Sequence, residues 1–394
     1  MASPSFQATS ELAVNSVGCE RYEDIKWDEI GFGIVATDFM YVMKCSKGEK
    51  FSEGNLIPYG NIELTPSAGI LNYGQGVLEG LKAYRTEDMR ILLFRPQQNA
   101  LRIKIGAERM CMPSPSIHQF LNAINQTVLA NIRWVPPVGQ GSLYIRPLLM
   151  GTGSVLGLAP AHEYTLLIYA TPVKSYHKSI MASMMSFDPC SPPHLVALQL
   201  KVFSFPFAYS LQLTLQGPLK LVVKDELHRA ISGNGGTGGI KSVTNYSPTY
   251  KAGISARAEG FSDVLYLDAA TGKFIEEVSS CNIFVVKGNT ISTPKAEGSI
   301  LPGITRKSII DIAIDLDYKV EERGVEVEEL LMADEVFCTG TAVVVIPVLS
   351  VTYNKTNAIY KTGSGTVSQK LYETLVAIQT GHIEDTKGWT VQVN

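Results

Sequence analysis

The stretch SGNGGTGGIKSVTNY, residues 232–246, decides how the rest of the chain is read. Five glycines (Gly233, Gly235, Gly236, Gly238 and Gly239) precede Lys241. A Walker-type phosphate loop places its lysine directly after a glycine. Here Ile240 intervenes and no clean strand precedes the glycines, so that reading fails. Taken alone, the glycines describe a flexible loop with a solvated lysine. A lysine flanked by apolar Ile240 and Val243 has a second use. A partly desolvated amine has a depressed pKa and attacks carbonyl carbon to form a Schiff base. Glycines allow a bulky aldehyde cofactor to approach the backbone. Both readings stand on these residues.

Two other segments carry anion-binding patterns. In GSILPGITRKSIIDIAIDL, residues 298–316, Pro302-Gly303 breaks the chain just ahead of an amphipathic helix, with Ile309, Ile312, Ala313 and Leu316 on one face. The free backbone N–H groups at such a start, with Thr305 beside them, suit a phosphate or an ordinary cap equally. In TGTA, residues 339–342, small residues at a strand end allow backbone amides to face an anion, or simply make a tight turn.

Outward from these segments, the hydrophobic period sorts the chain into elements. Strands are expected at FGIVATDFMYVMKC, where Tyr41, Met43 and Cys45 alternate, at Ile91–Phe94, and at GSLYIRPLLMG and HEYTLLIYATPV on either side of the Gly-rich stretch 151–160. Helices are expected over Asn99–Met110 and His118–Ile132. In the second half, LKLVV and DVLYLD read as strands, and FIEEV with NIFVVKGNTISTP reads as a hairpin pattern turning at Gly288-Asn289. A single strand at EVFCTGTAVVVIPV and a helix over Ser368–Gln379 follow. The division predicts two domains, residues 1–174 and 217–394, in a mixed α+β and α/β chain. The segment 175–216 links them.

Part of that link is unusual. Met181–Gln216 holds only two charges, Asp188 and Lys201, and an apolar tract from Leu195 to Leu215. Gln199, Lys201, Pro206 and Gln212 interrupt the tract, which argues against a membrane span. We expect an insertion that lowers solubility and activity, so that joining Ile180 to Gly217 raises both.

The chain has 394 residues, enough for two domains, and a net charge of −3. No basic excess exists to neutralise a phosphate backbone, so the charge balance argues against nucleic-acid binding. Six cysteines lack a CxxC pair and six histidines lack an HxxxH or HxH pair, so no disulfide framework or metal site is expected. The first 21 residues have no apolar core of a secretory signal, and Glu11 and Glu20 are unusual in an organellar leader. The expectation is a cytosolic protein, with a plastid or mitochondrial address as the alternative.

In order, these pieces resemble the branched-chain aminotransferases, pyridoxal-phosphate enzymes of fold type IV. The resemblance runs from about Trp27 to Trp389 apart from 181–216, and rests on LNYGQGVLEGLKAYR (71–85), FRPQQNALR (94–102), LYIRPLLMGTG (143–153), GGTGGIKSVTNY (235–246), EEVSSCNIF (276–284), ILPGITRKS (300–308) and FCTGTA (337–342). DVLYLDAATGK and EDTKGW are most similar to plant members. The resemblance implies a two-domain fold with a smaller N-terminal and a larger C-terminal domain, and a homodimer acting on small amino and 2-oxo acids. Lys241 then carries the cofactor and moves the proton at the substrate α-carbon. Glu277 faces the pyridine nitrogen, with Glu276 as a solvated neighbour. Arg102, Ile304, Thr305 and Thr341 hold the phosphate, and Tyr246 lies against the phenolic oxygen. Arg146, beside Tyr144, meets the γ-carboxylate of 2-oxoglutarate. Ser280 and Ala342 take the α-carboxylate, and Tyr73, Tyr176, Leu156 and Leu158 form apolar walls, some of them across the dimer.

Three departures accompany the resemblance. Leu78 replaces a usual aromatic, and the pocket it reshapes also suits a methionine-related 2-oxo acid. VVVIPV after TGTA lacks paired cysteines, so no redox switch is expected. The 181–216 insertion leaves an impaired paralogue as a further alternative. D-amino-acid transaminases and aminodeoxychorismate lyases share the lysine and glutamate, but not the RPLLMG and TGTAVVV context.

Overall fold

The computed structural model describes residues 25–31, 33–174, 217–224, 227–230 and 236–394. Tyr176 and the 181–216 insertion lie outside the described residues. The strands of the first half are β1 (Phe39–Ser46), β2 (Asn55–Pro58), β3 (Gly76–Leu78), β4 (Leu81–Arg85), β5 (Ile91–Phe94), β6 (Gly141–Gly151) and β7 (Glu163–Lys174). Their sheet runs β2-β1-β7-β6-β4-β5, with β3 paired to β6. The β6–β7 pair is its spine, in register from Gly141 opposite Lys174 to Gly151 opposite Tyr164. Two helices, α2 (Pro96–Arg109) and α3 (Ile117–Ala130), follow the short α1 (Gly69–Tyr73). Ser116 and Gln119 close a capping box at the start of α3, satisfying two orphan N–H groups reciprocally. Phe120, Ala123, Ile124 and Val128 on that helix are fully buried in the core with Leu143, Ile145 and Leu166 of the spine.

The second half contains β8 (Leu219–Val223), α4 (Thr249–Ala258), β9 (Asp263–Leu267), β10 (Ile275–Val278), β11 (Asn282–Lys287), β12 (Thr290–Thr293), α5 (Ile304–Asp315), β13 (Lys319–Glu322), α6 (Val327–Leu331), β14 (Glu335–Gly340), β15 (Val344–Tyr353), β16 (Thr356–Ile359) and α7 (Val367–Gln379). The sheet order is β10-β9-β8-β15-β14-β11-β12-β13, with β16 on β15. One antiparallel bridge, Glu277 opposite Asn282, joins β10 back to β11, so six strands close into a ring. The two-domain α+β expectation matches this pair of sheets. A last strand, β17 (Thr390–Gln392), leaves the second half and pairs with β5 of the first sheet.

Two element expectations change. EVFCTGTAVVVIPV is not one strand but the hairpin β14–β15, turning at 341–343 with Gly340 opposite Val344. TGTA left a tight turn open, but the residue that takes the left-handed backbone (φ 61°) is Val344, whose type does not signal one. Glu276 is not solvated: all four residues of β10 are buried, and the Ser299 hydroxyl donates to its carboxylate. Strand alternation exposes one face only where a sheet has a wet side, and this ring covers both.

Candidate active site

Gly238 and Gly239 place Lys241 at the boundary between the halves. A Cβ on Gly238 would stand 2.5 Å from the Ser299 backbone, so only glycine lets the 236–240 loop lie against 298–299. Just after it, Val77 and Ser242 form a bridge, and Leu78 N donates to Lys241 O at 3.0 Å. Strand β3 of one half thereby holds the lysine backbone of the other. The half-buried Lys241 Nζ donates to the Tyr246 hydroxyl at 2.9 Å. Both line a cavity of about 360 Å³ with Leu78, Tyr144, Arg146, Ser280, Thr341 and Ala342.

The cavity walls divide by chemistry. Leu78, Leu219, Val278, Val343 and Ile346 are apolar. Arg146 brings a cation, stacked 5.3 Å from the Tyr144 ring centroid and donating to its hydroxyl at 3.1 Å. Its Nε is buried without a partner, an arrangement suited to an anionic ligand group. Behind the cavity, Glu277 is 2% exposed. Burial pushes its carboxyl up to about 7, against the opposing pull of Arg229. Arg229 Nη1 donates to Glu277 Oε1 at 2.6 Å, Leu301 N donates to the same oxygen at 3.0 Å, and Asn282 Nδ2 donates to Oε2 at 3.3 Å.

The helix start also forms as expected. Gly303 is the N-cap of α5 and makes no side-chain cap, which leaves the amides of Ile304 and Thr305 available. A Cβ at Gly303 would lie 2.1 Å from Asn282 Oδ1. Ile304, Thr305 and Thr341 line one small hollow with Gly80 and Lys82. Arg102 reaches this corner from α2, with Nη1 donating to Pro302 O at 3.2 Å. Its other bonds go to Glu79, bidentate at 2.7 Å and 2.7 Å.

Glu79, Arg229 and Lys82 were missed by the sequence reading. Glu79 lies inside the quoted YGQGVLEG motif, and a fully buried carboxylate there demands a cation. Tyr73, Leu156 and Leu158 are not brought to the cavity. Tyr73 donates its hydroxyl to Leu156 O, and Leu156 and Leu158 are 93% and 99% exposed. Among the described residues, Leu156 and Leu158 have almost nothing to pack against. Among the described residues no group of three His, Cys, Asp or Glu could hold a metal, and no helix is long and apolar enough to cross a membrane.

An amine beside a phenol, a buried acid behind it and a helix start beside it define a class of protein, an aminotransferase of class IV. That family's pattern matches residues 227–351. Branched-chain amino acid aminotransferase 2, chloroplastic, of Humulus lupulus is 55% identical over 393 residues, 100% of this chain and 85% of the relative. Branched-chain-amino-acid aminotransferase 1, mitochondrial, of Arabidopsis thaliana is 54% identical, over 95% of this chain and 88% of its own. A methionine aminotransferase of Arabidopsis thaliana is 47% identical, covering 96% of each. Among solved structures, the Escherichia coli branched-chain amino acid aminotransferase superposes with a TM-score of 0.70 at 25% identity, over 91% of this chain and 100% of that one. The T.th. branched-chain amino acid aminotransferase complexed with N-(5'-phosphopyridoxyl)-L-glutamate gives 0.68 at 25%, over 91% and 100%. The chain belongs to the branched-chain aminotransferase family.

Proposed function

We propose that the 360 Å³ cavity is where this pyridoxal-phosphate-dependent aminotransferase exchanges amino groups between leucine, isoleucine or valine and 2-oxoglutarate. The residues fit the cofactor. Lys241 supplies the amine, Tyr246 a phenol beside it, Glu277 an acid for the ring nitrogen, and Arg102 with the Ile304 and Thr305 amides and Thr341 a phosphate cradle. Bound there, pyridoxal phosphate supplies an electron sink for negative charge at the substrate α-carbon. Lys241 takes the α-proton and returns it, and the Tyr246 hydroxyl orients its amine. Arg229 aims Glu277 and opposes, without cancelling, the burial that raises its carboxyl to about 7.

One pocket has to accept an apolar side chain and a γ-carboxylate in turn. Leu78, Val278 and Ile346 meet the first, Arg146 with Tyr144 the second, and Ser280 with Ala342 the shared α-carboxylate. The observation that carries this reading is the placing of Lys241 Nζ, the Tyr246 hydroxyl and the unpartnered Arg146 Nε around one cavity. The test is visible absorbance on adding cofactor, then rates with leucine, isoleucine, valine and methionine. Leu78 on the wall supports methionine as a second substrate class, and a methionine rate above the leucine rate would reverse the assignment.

The exposed Leu156 and Leu158 support a homodimer in which a second copy covers them. The relatives named chloroplastic and mitochondrial support an organellar address over the cytosolic expectation. Microscopy of a fluorescent fusion of the full chain decides between them.

A further inference from the structure

Lys82 lines the small hollow at the start of α5, yet its amine bonds elsewhere. It lies in β4 of the first sheet and is 7% exposed. Its Nζ donates to the Ala342 carbonyl of the second half at 2.8 Å, across 260 residues of chain. Burial pushes its amine down to about 7, so near neutral pH both ammonium and amine are present, and each of them donates.

The contact falls on a particular piece of backbone. Thr341, Ala342 and Val343 turn between β14 and β15, with the 360 Å³ cavity on one side. Lys82 is absent from that cavity's wall but lines two smaller hollows, of about 20 and 70 Å³, the first being the one at the start of α5. The next residue, Val344, has φ 61°. A β-branched side chain is disfavoured there, and such a conformation persists only where the surroundings fix it. Two bonds from one short stretch of the first half do so: Thr341 Oγ1 donates to Gly80 O at 3.2 Å, and Lys82 holds Ala342 O. Because a trans peptide sets its C=O and N–H in opposite directions, pulling the Ala342 carbonyl toward Lys82 turns the Val343 N–H away from Lys82, which does not line the cavity.

We propose that Lys82 is a positioning residue for substrate carboxylates, holding the 341–343 turn from behind so that its backbone donors face the cavity. The proposal rests on the reading of that cavity as the substrate site. It predicts an effect on everything that carries the shared carboxylate and little effect on proton transfer.

The test compares Lys82→Met with the parent enzyme. The methyl thioether fills the same buried space but leaves Ala342 O without its donor. KM for leucine and for 2-oxoglutarate should each rise, by at most about tenfold, since the worth of one buried hydrogen bond sets the ceiling. By contrast, kcat at saturating cofactor should stay within about twofold. Calorimetric binding of 4-methylvalerate, a carboxylate with no amine to react, should weaken by the same factor. Lys82→Gln, a neutral donor of similar reach, should fall between the two and serves alone if the Met variant does not fold. Unchanged carboxylate affinity in a folded variant overturns the proposal. So does a parallel fall in kcat at saturating cofactor, which marks Lys82 as general support. A parent enzyme without transaminase activity would instead refute the cavity assignment on which the proposal rests.

Discussion

A carboxylate taken out of water has to be paired or protonated, and Glu277 divides between the two. With its folded pKa at about 7, it binds a proton between roughly pH 4.5 and 7 that the unfolded chain has already released. Stability of the cofactor-free protein from this group is therefore full at low pH and falls as pH rises through that window, by up to about 3 kcal/mol. Glu277→Gln should flatten that slope in urea unfolding at pH 5 and pH 7.5, while slowing turnover. Lys241→Ala should abolish turnover and the absorbance change on adding cofactor. A variant with normal turnover would remove the lysine from its role. Arg102 and Glu79 make a different pair, with side chains 9% and 0% exposed. Arg102→Ala leaves Glu79 buried without its cation, so about 3–5 kcal/mol of stability should go along with cofactor affinity. Adding Glu79→Gln should restore at least about 1 kcal/mol in urea unfolding, whereas excess cofactor restores less. Lys241, Tyr246, Glu277 and Arg102 were legible because each sits in a local motif. Glu79 lies in a quoted motif too, but only the fold shows its carboxylate fully buried against Arg102, and Arg229 lies in no quoted motif and meets Glu277 only through the fold.

Elements were legible where the turn chemistry was conventional. Gly288 takes φ 56° between β11 and β12, and glycine in that place announces the hairpin. Val344 takes φ 61° at the start of β15, just after the turn, and an apolar β-branched residue announces nothing. The helix start at 303–305 shows the opposite case, a break visible in sequence whose tightness only the fold reveals. Gly303 is held against Asn282, and Asn282 in turn donates to Leu301 O at 2.9 Å and to Glu277. Gly303→Ala should therefore push on the acid and on the phosphate corner together. A destabilisation of about 1–3 kcal/mol is expected from overpacking, with a cofactor dissociation constant raised at least about tenfold. Titration of cofactor absorbance checks the second number. Normal affinity would mean that α5 shifts as a unit and that its first amides do not bind the phosphate.

The whole molecule is built so that neither half completes the site. Leu78 and Lys82 come from one sheet, Lys241 and the 341–343 turn from the other, and Thr390–Gln392 at the far end of the chain returns to pair with Phe94, Leu93 and Leu92. Sequence periodicity divides the chain at its linker and has no means of showing that return, because a three-residue strand carries no period. The same limit applies one level up. Leu156 and Leu158 were expected on apolar walls, some of them across a dimer, and in one chain they stand 93% and 99% exposed on the link between β6 and β7, beside Tyr73 at 43%. Large apolar side chains clustered this way are costly in water unless another surface covers them. If a second copy covers them, Leu156→Asp with Leu158→Asp should cost the folded chain almost nothing, since neither side chain is packed within it. The pair of charges would oppose burial at the interface instead. Light scattering should then give the dimer mass for the parent and the monomer mass for the double variant, with unfolding midpoints of diluted samples alike. KM for leucine should rise more than KM for glutamate, because only the apolar wall is lost. A double variant that keeps the dimer mass would show that the loop lies outside the interface, and that these two leucines do not complete the pocket.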